Sequence, residues 1–475
     1  MAFDGDYAMV IGGERVRGSA SLDVVNPATE QVIAQVPDCT REELDRAIAA
    51  ARDAFPGWAA TPIDERRAKL NALGDAVLAN LDAFKRLLTS EQGKPHEKAA
   101  GEVMGAGYWL KGAAALDLPV TVNEDSDERY SETRHVPLGV VGAIAPWNFP
   151  MVLAMFKVGP ALLAGNTMVL KPSPFTPLST LRFAELAADI LPAGVLNVIT
   201  GGDRLGPWMT SHPGFDKISF TGSTATGRKV MESAAPTLKR VTLELGGNDA
   251  AIVMPDVDVE KVAEQLFWAA FRNNGQICIA TKRMYVHKDV YEPLRDALVA
   301  YAKTVKVGDG SQQGTQIGPI NNKAQYDRVL DLIQDAKDKG YEFLIGGEAA
   351  DVPGYFIPVT ILDNPPEDSR IVQEEQFGPV LPLIKFDDFD DVVRRANATD
   401  YGLGGAVWGT DEDRALELAQ KIASGTVWIN ETQHLSPMAA FGGMKQSGVG
   451  VEGGVEGLLE YTNAQTIVRR RKVPA

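Results

Sequence analysis

This sequence has little cysteine, little histidine and no excess of positive charge. Only Cys39 and Cys278 occur among 475 residues, which excludes a disulfide framework and indicates a reducing compartment. The net charge of −16 repels nucleic acid and anionic membranes, so neither is predicted as a partner. No metal is predicted, because the histidines lack the spacing of metal ligands; they are His96, His135, His212, His287 and His434.

The sequence also offers no convincing membrane or secretory segment. Residues 136–156 are uncharged and long enough to span a bilayer, but prolines and glycines interrupt them. We predict that they form a short buried strand, a loop and the start of a helix. The N-terminus carries Asp4 and Asp6 where a signal peptide has positive charge, so a cytosolic protein is expected.

Length and composition indicate a multidomain globular protein. The chain is too long for one hydrophobic core, and 45% hydrophobic with 23% charged residues argues against disorder. In the first half, β-branched runs alternate with helical patterns, which predicts an α/β fold whose parallel sheet is covered by helices and binds ligands at its carboxyl edge. The predicted strands are 139–145, 167–170, 195–199, 217–220 and 241–245, and the predicted helices are 151–163, 178–190, 204–210 and 225–235.

A second α/β domain of similar size is predicted after residue 245. Its predicted strands are 250–253, 343–345, 356–361, 381–386 and 405–407, with helices near 259–271 and 290–305. Two polar, alternating segments fit neither domain. Residues 119–136 predict an exposed hairpin and residues 464–473 an exposed strand, whose edge invites pairing with another subunit; an ordinary surface hairpin is the alternative.

Three motifs supply the groups that acyl chemistry at a carbonyl carbon needs. Asn-Gly-Gln-Ile-Cys ends at the nucleophile Cys278, Glu-Leu-Gly-Gly-Asn begins with the carboxylate of Glu244, and Pro-Trp-Asn-Phe-Pro contains the amide donor Asn148. Together, in this order, they resemble the aldehyde dehydrogenase superfamily, whose other motifs follow in register along nearly the whole chain.

The resemblance implies an aldehyde dehydrogenase-like α/β fold with a Rossmann-type cofactor domain, a second α/β catalytic domain and a small β oligomerisation arm. The implied boundaries are 1–118 and 137–245 for the dinucleotide-binding domain, 246–445 for the catalytic domain, and 119–136 with 446–475 for the arm and C-terminal segment. A homodimer or homotetramer is expected.

The implied reaction is oxidation of an aldehyde to a carboxylic acid with reduction of NAD or NADP. Cys278 would attack the aldehyde as a thiolate, and the Asn148 side chain with the Cys278 backbone N–H would stabilise the oxyanion. Glu244 would activate the water that hydrolyses the thioester. Lys157 and Glu452 match family positions that relay protons or support the base; a buried ion pair and a capping glutamate are the alternatives.

The cofactor site begins with the glycine turn in residues 217–227, where a strand leads into a helix and N–H groups face outward toward a phosphate. Its spacing is neither Gly-x-Gly-x-x-Gly nor a Walker loop, so the turn alone is equally consistent with a structural role. The resemblance assigns Ser223 to the pyrophosphate and Lys171 to a ribose hydroxyl or a 2′-phosphate. It also implies cofactor contacts from Ile144, Pro146, Trp147, Ser173, Gly222, Leu245, Glu375 and Phe377.

The choice between NAD and NADP stays open. Many NAD-preferring relatives carry a glutamate three residues after the lysine at the Lys171 position, whereas this chain has Pro174. A 2′-phosphate would therefore not meet that carboxylate.

Family matching also implies an apolar lining around the aldehyde tail: Val103, Phe149, Val152, Phe156, Ile277, Ile279 and Leu435. Uncharged aliphatic or aromatic aldehydes are favoured, although Arg272 or His434 could alter this preference. Two other functions stay open. A CoA-acylating semialdehyde dehydrogenase would generally lack the glutamate at the Glu244 position, and a non-catalytic protein could retain the fold.

Overall fold

Two mainly parallel β-sheets organise the chain, and a small three-stranded antiparallel sheet and a two-stranded antiparallel hairpin accompany them. The computed structural model that shows them describes residues 5–471. The first four residues of the predicted dinucleotide-binding domain, the last four of the predicted C-terminal segment, and residues 472 and 473 of the predicted C-terminal strand lie outside the described residues.

The strands are numbered in chain order. Residues 5–245 contain β1 (Met9–Ile11), β2 (Glu14–Val16), β3 (Ser21–Asn26), β4 (Gln31–Pro37), β5 (Thr121–Asp125), β6 (Arg129–Pro137), β7 (Val140–Ile144), β8 (Thr167–Lys171), β9 (Leu196–Val198), β10 (Lys217–Thr221) and β11 (Arg240–Glu244). Residues 246–471 contain β12 (Asp249–Val253), β13 (Thr281–His287), β14 (Glu342–Ile345), β15 (Thr360–Asp363), β16 (Val380–Phe386), β17 (Gly404–Trp408), β18 (Thr426–Ile429), β19 (Gly448–Val449) and β20 (Thr462–Arg470).

The helices are numbered in the same way. The first half contains α1 (Arg41–Ala60), α2 (Ile63–Ala79), α3 (Leu81–Gln92), α4 (His96–Ala114), α5 (Pro150–Leu163), α6 (Leu178–Ala188), α7 (Leu205–Ser211) and α8 (Thr224–Ala234). The second half contains α9 (Val259–Phe271), α10 (Lys288–Ala302), α11 (Lys323–Asp338), α12 (Arg370–Gln373), α13 (Phe389–Ala396), α14 (Glu412–Lys421) and α15 (Gly454–Leu459).

The first sheet has the strand order β19-β11-β10-β7-β8-β9-β1-β2. Its strands β11, β10, β7, β8 and β9 run parallel, so their carboxyl ends lie at one edge. Strands β7 and β8 are buried along their whole length, as the apolar runs predicted. The strands and helices predicted between residues 139 and 245 are confirmed to within one or two residues at each end.

The second sheet has the order β14-β15-β16-β13-β12-β17-β18 and is parallel except for the β14–β15 pair. The predicted strand 356–361 is wrong in its first part: β15 begins only at Thr360, because Pro358 has no N–H to give to a ladder. Strand β13 was not predicted, although it lies at the centre of the sheet. Its Lys282 and Arg283 interrupt the apolar pattern, yet both are 2% exposed.

The small sheet has the order β20-β6-β5. Strands β5 and β6 form the predicted hairpin, and β20 pairs with β6 from Thr462 opposite Pro137 to Arg470 opposite Arg129. The predicted C-terminal strand is thus confirmed as far as Arg470. One edge of β20 is therefore paired with β6 of the same chain.

The uncharged segment 136–156 is divided as predicted into strand β7, a loop and the first turns of α5. Helix α5 is 14 residues long, contains Pro160 and is buried within the protein. Among the described helices, none is long and apolar enough to cross a bilayer.

Candidate active site

A cavity of about 430 Å³ opens at the carboxyl edge of the first sheet and takes its lining from both halves of the chain. It brings Cys278 and Asn148 together with the glycine turn after β10 and with Glu375. The complete lining is Pro146, Trp147, Asn148, Leu153, residues 221–225, Leu245, Gly246, Cys278, Gln325, Arg328, Glu375, Phe377 and Tyr401. Seven of the ten predicted cofactor residues line this cavity: Pro146, Trp147, Gly222, Ser223, Leu245, Glu375 and Phe377.

The loop before Cys278 has a backbone that few residue types adopt. Asn273, Asn274 and Gly275 have successive positive φ angles of 51°, 60° and 71°. Asparagine and glycine tolerate this left-handed region better than other residues. A Cβ on Gly275 would lie 2.1 Å from the carbonyl oxygen of Gly378, so only glycine fits there. These three residues turn the chain from α9 to the nucleophile.

The Cys278 thiol is partly exposed and packs against the hydrophobic cluster beneath α5. Burial raises the pKa of this thiol to about 12, the charge of Lys282 lowers it, and the carboxylates of Glu244, Asp249 and Glu375 raise it. The thiol therefore keeps its proton at neutral pH until a base or a further positive charge acts on it.

Two hydrogen-bond donors accompany the sulfur. Asn148 Nδ2 donates to the carbonyl of Gln276 at 3.0 Å, which leaves the second N–H of that amide free for another acceptor. The backbone N–H of Cys278 has no hydrogen-bond partner within residues 5–471. These two N–H groups are the donors that the resemblance implies for an oxyanion.

Glu244 is the last residue of β11 and is 4% exposed. Neither of its carboxylate oxygens has a hydrogen-bond partner among the described residues. Burial, and after it the charge of Glu452, raises the pKa of Glu244 well above its usual value, while Lys157 lowers it. Glu244 does not line the 430 Å³ cavity, but its charge acts on the Cys278 thiol.

Lys157 and Glu452 form a buried ion pair beside Glu244. The Lys157 ammonium lies 2.6 Å from Glu452 Oε1, and the two side chains are 0% and 1% exposed. Lys157 also donates to Ser219 Oγ at 3.1 Å, whereas Glu452 Oε2 has no partner among residues 5–471. The structure thus brings these two candidates together next to the candidate base.

The remaining cofactor candidates lie on the neighbouring strands of the same edge. Ile144 of β7 pairs in register with Lys171 of β8, and Ser173 follows two residues later. Lys171 is 5% exposed, and burial lowers the pKa of its ammonium to about 8. None of these three residues lines the 430 Å³ cavity.

The glycine turn opens helix α8 at this edge. Ser223 is the N-cap of α8 and accepts a hydrogen bond from the N–H of Thr226 at 3.3 Å. The first-turn N–H groups and the positive end of the helix therefore face the opening, which suits a phosphate.

Glu375 and Phe377 stand across the cavity from that turn. Glu375 Oε1 accepts from the N–H of Gly247 at 3.0 Å, and a Cβ on Gly246 would lie 2.3 Å from its other oxygen. Phe377 meets Trp147 edge-on with 5.3 Å between ring centroids. A helix N-terminus, an acceptor carboxylate and flat apolar surfaces around one opening fit a dinucleotide.

All seven predicted substrate residues belong to one hydrophobic cluster, and Cys278 packs against it. Val103, Phe156, Ile277 and Ile279 are buried inside the cluster, whereas Phe149, Val152 and Leu435 are partly exposed at its margin. None of the seven lines the 430 Å³ cavity itself. Arg272 and His434 are exposed and stand outside the cluster.

Sequence reasoning missed several residues around the nucleophile. The buried Lys94 donates to the carbonyl of Asn148 at 2.9 Å and to the carboxylate of Glu102, and Glu102 Oε1 accepts from the N–H of Met151 at 2.9 Å. Lys282 donates to two carbonyls of the Cys278 loop. No local pattern distinguishes these residues from solvated ones, because a lysine or glutamate is usually exposed and their burial here depends on the packing of the whole fold.

Three further residues line the cavity and were not predicted: Gln325, Arg328 and Tyr401. Gln325 donates to the carbonyls of Gln376 and Phe377 at 3.0 and 3.1 Å, so it holds the segment that carries Phe377. In residues 5–471, no group of three or more His, Cys, Asp or Glu side chains is placed to hold a metal ion.

Comparison with known proteins gives a consistent picture. The model of the aldehyde dehydrogenase family matches residues 16–467. A Pseudomonas protein described as "Probable aldehyde dehydrogenase" is 45% identical over 97% of this chain and 94% of its own. The NAD+ complex of an aldehyde dehydrogenase from Bacillus cereus superposes with a TM-score of 0.96 at 37% identity, covering 98% of this chain and 97% of that one. An E. coli NADP dependent enzyme superposes with a TM-score of 0.95 at 36% identity, covering 99% of this chain and all 100% of that one.

Proposed function

This chain belongs to the aldehyde dehydrogenase family, and we propose that the cavity around Cys278 is the active site in which it oxidises an aldehyde with NAD or NADP. The observation that carries the assignment is the shared cavity, in which Cys278 and Asn148 face the glycine turn and Glu375. CoA acylation and a non-catalytic role are not favoured, since the relatives are aldehyde dehydrogenases.

In the first step, the Cys278 thiol gives its proton to solvent water, and the thiolate bonds to the aldehyde carbon as the carbonyl π bond breaks. The carbonyl oxygen becomes an oxyanion, which accepts hydrogen bonds from the free N–H of the Asn148 amide and from the Cys278 backbone N–H. When bound, NAD(P)+ supplies the acceptor for the hydride that leaves this thiohemiacetal. The residues that would hold the dinucleotide are those of the carboxyl edge: Ile144, Pro146, Trp147, Lys171, Ser173, Gly222, Ser223, Leu245, Glu375 and Phe377.

The second step is hydrolysis of the thioester on Cys278. Water attacks the acyl carbon, one water proton goes to Glu244, and the thiolate leaves as the carboxylic acid forms. Glu244 must be ionised for this role, although burial favours its neutral form. Lys157 and Glu452 stand beside Glu244 and are proposed to exchange its proton. Their 2.6 Å contact with each other supports this role.

We propose that both cofactors are used and that NAD is the physiological one. No carboxylate occupies position 174, so a 2′-phosphate is not repelled there. The carboxylates of Asp203 and Asp38, however, already stabilise the positive charge of Lys171. The lysine therefore attracts a phosphate less, which favours a neutral ribose at this position.

The substrate class that we propose is uncharged aliphatic or aromatic aldehydes. The partly exposed Phe149, Val152 and Leu435 are apolar and adjoin Cys278 in one cluster. An apolar lining binds a hydrocarbon tail and gives no partner to a second carboxylate.

We propose the division of the chain into a dinucleotide-binding domain (1–118 and 137–245), a catalytic domain (246–445), and an arm with a C-terminal segment (119–136 and 446–475). The separate sheets support this division. The exception is β19, which belongs to the C-terminal segment but pairs with the first sheet. A homodimer or homotetramer is proposed, because β20 is an edge strand that exposes Ile467 and Val468. A reducing cytosol is proposed from the free thiols of Cys39 and Cys278.

An aldehyde panel tests the function. The purified enzyme is mixed with NAD or NADP and with aliphatic, aromatic and carboxylate-bearing aldehydes, and reduced cofactor is followed by absorbance. We expect turnover with the uncharged aldehydes and poor turnover with the carboxylate-bearing ones. Absence of aldehyde-dependent reduction across the panel would contradict the proposed site.

A further inference from the structure

Lys282 is a buried cation beneath the loop of the nucleophile. Its ammonium donates to the carbonyl oxygen of Ile277 at 2.8 Å and to that of Cys278 at 2.6 Å, with a longer bond of 3.4 Å to Ala280. The side chain is 3% exposed, and Glu375 Oε1 lies 3.5 Å away. All donors of this lysine are therefore directed at the Cys278 loop and at the carboxylate beside it.

The bond to Ile277 bears directly on the Cys278 N–H. The carbonyl of Ile277 and the N–H of Cys278 belong to one planar trans peptide unit, in which they point in opposite directions. The Ile277 oxygen also accepts from the N–H of Ala280 at 3.1 Å, so the ammonium and that N–H together fix the direction of the Cys278 N–H on the other side of the unit. A positive charge at the oxygen also polarises the unit and makes the N–H a stronger donor.

The N–H of Cys278 is free to be used in this way, since it has no hydrogen-bond partner within residues 5–471. We propose that Lys282 is a positioning residue that aims and polarises the Cys278 N–H toward the oxygen of the reacting aldehyde. The proposal rests on the proposed function, because it assumes that an oxyanion forms at Cys278.

Loss of Lys282 would have a second effect that the test must separate. Its charge lowers the pKa of the Cys278 thiol, against burial and the carboxylates of Glu244, Asp249 and Glu375, which face the same sulfur. A variant without the charge therefore has less thiolate as well as a poorly aimed N–H. Alkylation by iodoacetamide needs the thiolate but builds no oxyanion, so its rate reports the first effect alone.

The experiment compares Lys282→Met with wild type, both carrying Cys39→Ala so that Cys278 is the only thiol. We expect the alkylation rate at fixed pH to fall about tenfold, which corresponds to a rise of about one unit in thiol pKa. The value of kcat/KM for the aldehyde should fall further, by about tenfold to a hundredfold beyond the loss in alkylation. Both assays are run at saturating dinucleotide, because Lys282 also lies 3.5 Å from Glu375 and its loss can change cofactor binding.

Equal losses in alkylation and in kcat/KM would overturn the proposal, because Lys282 would then act on the thiol alone. Lys239→Met is the matched control: Lys239 is also buried and donates to a backbone carbonyl, that of His212 at 2.8 Å, but it immediately precedes β11 and does not line the cavity. We expect both rates to stay at the wild-type value in this control.

Lys282→Gln keeps one amide donor and loses the charge. We expect an excess loss in kcat/KM of a few-fold over the loss in alkylation, and its absence would also overturn the proposal. This variant decides the question if Lys282→Met does not fold, as judged by its melting temperature. Failure of the proposed function is visible separately, because wild type itself would then form no NAD(P)H with any aldehyde.

Discussion

The side-chain amide of Asn148 donates a 3.0 Å hydrogen bond to the backbone carbonyl of Gln276, although the two residues are 128 positions apart. One proposed oxyanion donor is thereby held by the loop that carries the nucleophile and the other donor. Lys94 holds the backbone of Asn148 from the opposite side. The geometry of the candidate site therefore depends on contacts between the two halves of the chain.

Cys278→Ala should abolish aldehyde oxidation and leave dinucleotide binding nearly intact, because the sulfur forms the covalent intermediate but holds no phosphate. The measurements are NAD(P)H formation and cofactor titration by fluorescence. Cys39→Ala is the control, since Cys39 is buried elsewhere and should leave turnover unchanged. Substantial turnover in Cys278→Ala would exclude it as the nucleophile.

Asn148→Ala should lower kcat by about a hundredfold to a thousandfold, the range typical for loss of one oxyanion donor. Steady-state kinetics with a good aldehyde measures this loss. Asn123→Ala, on the exposed hairpin, is the control and should retain full activity. An effect on KM alone would contradict the oxyanion role.

Glu244→Gln should retain a pre-steady-state burst of reduced cofactor and then turn over slowly, because the thioester forms but persists. Stopped-flow absorbance separates the two phases. The amide has nearly the same shape as the carboxyl group, so packing should be preserved. If burst and steady state fall together, Glu244 acts at an earlier step.

Turnover limited by thioester hydrolysis should increase with pH. Burial and the charge of Glu452 raise the pKa of Glu244, so the active carboxylate appears only as the pH climbs through that raised value. Glu452→Gln removes the like charge and leaves the positive charge of Lys157 uncompensated. Both changes lower the pKa of Glu244, so kcat should increase at lower pH than in wild type. A shift of the kcat profile to higher pH would contradict this.

Pro174→Glu should shift cofactor preference toward NAD by about one to three kcal/mol, because the new carboxylate accepts from ribose hydroxyls and repels a 2′-phosphate. The test is kcat/KM for NAD and NADP in both proteins. Phe175→Glu places the same charge on the adjacent exposed residue and should change the ratio less. An unchanged ratio in Pro174→Glu would mean that position 174 does not face the adenosine ribose.

Much of the first half could be predicted from the sequence because its signals are local. Strands β7 and β8 are short, buried and largely apolar, and β10 ends at a definite position because the glycine turn follows it. The nucleophile and amide motifs likewise predict Cys278 and Asn148 from short stretches of sequence. Strand β13 escaped prediction because Lys282 and Arg283 are typical of a solvated segment.

Side-chain type therefore determined which residues have the chemistry for an acyl transfer. Local periodicity determined most of the first sheet. Only the tertiary structure decided the environment of those residues. The raised pKa of Glu244 depends on its burial and on Glu452, more than two hundred residues later. Asn148 meets the carbonyl of Gln276, 128 positions later, only because the two halves of the chain pack together. Desolvation and hydrogen bonding act through space, so their effects at this site cannot be obtained from the order of residues along the chain.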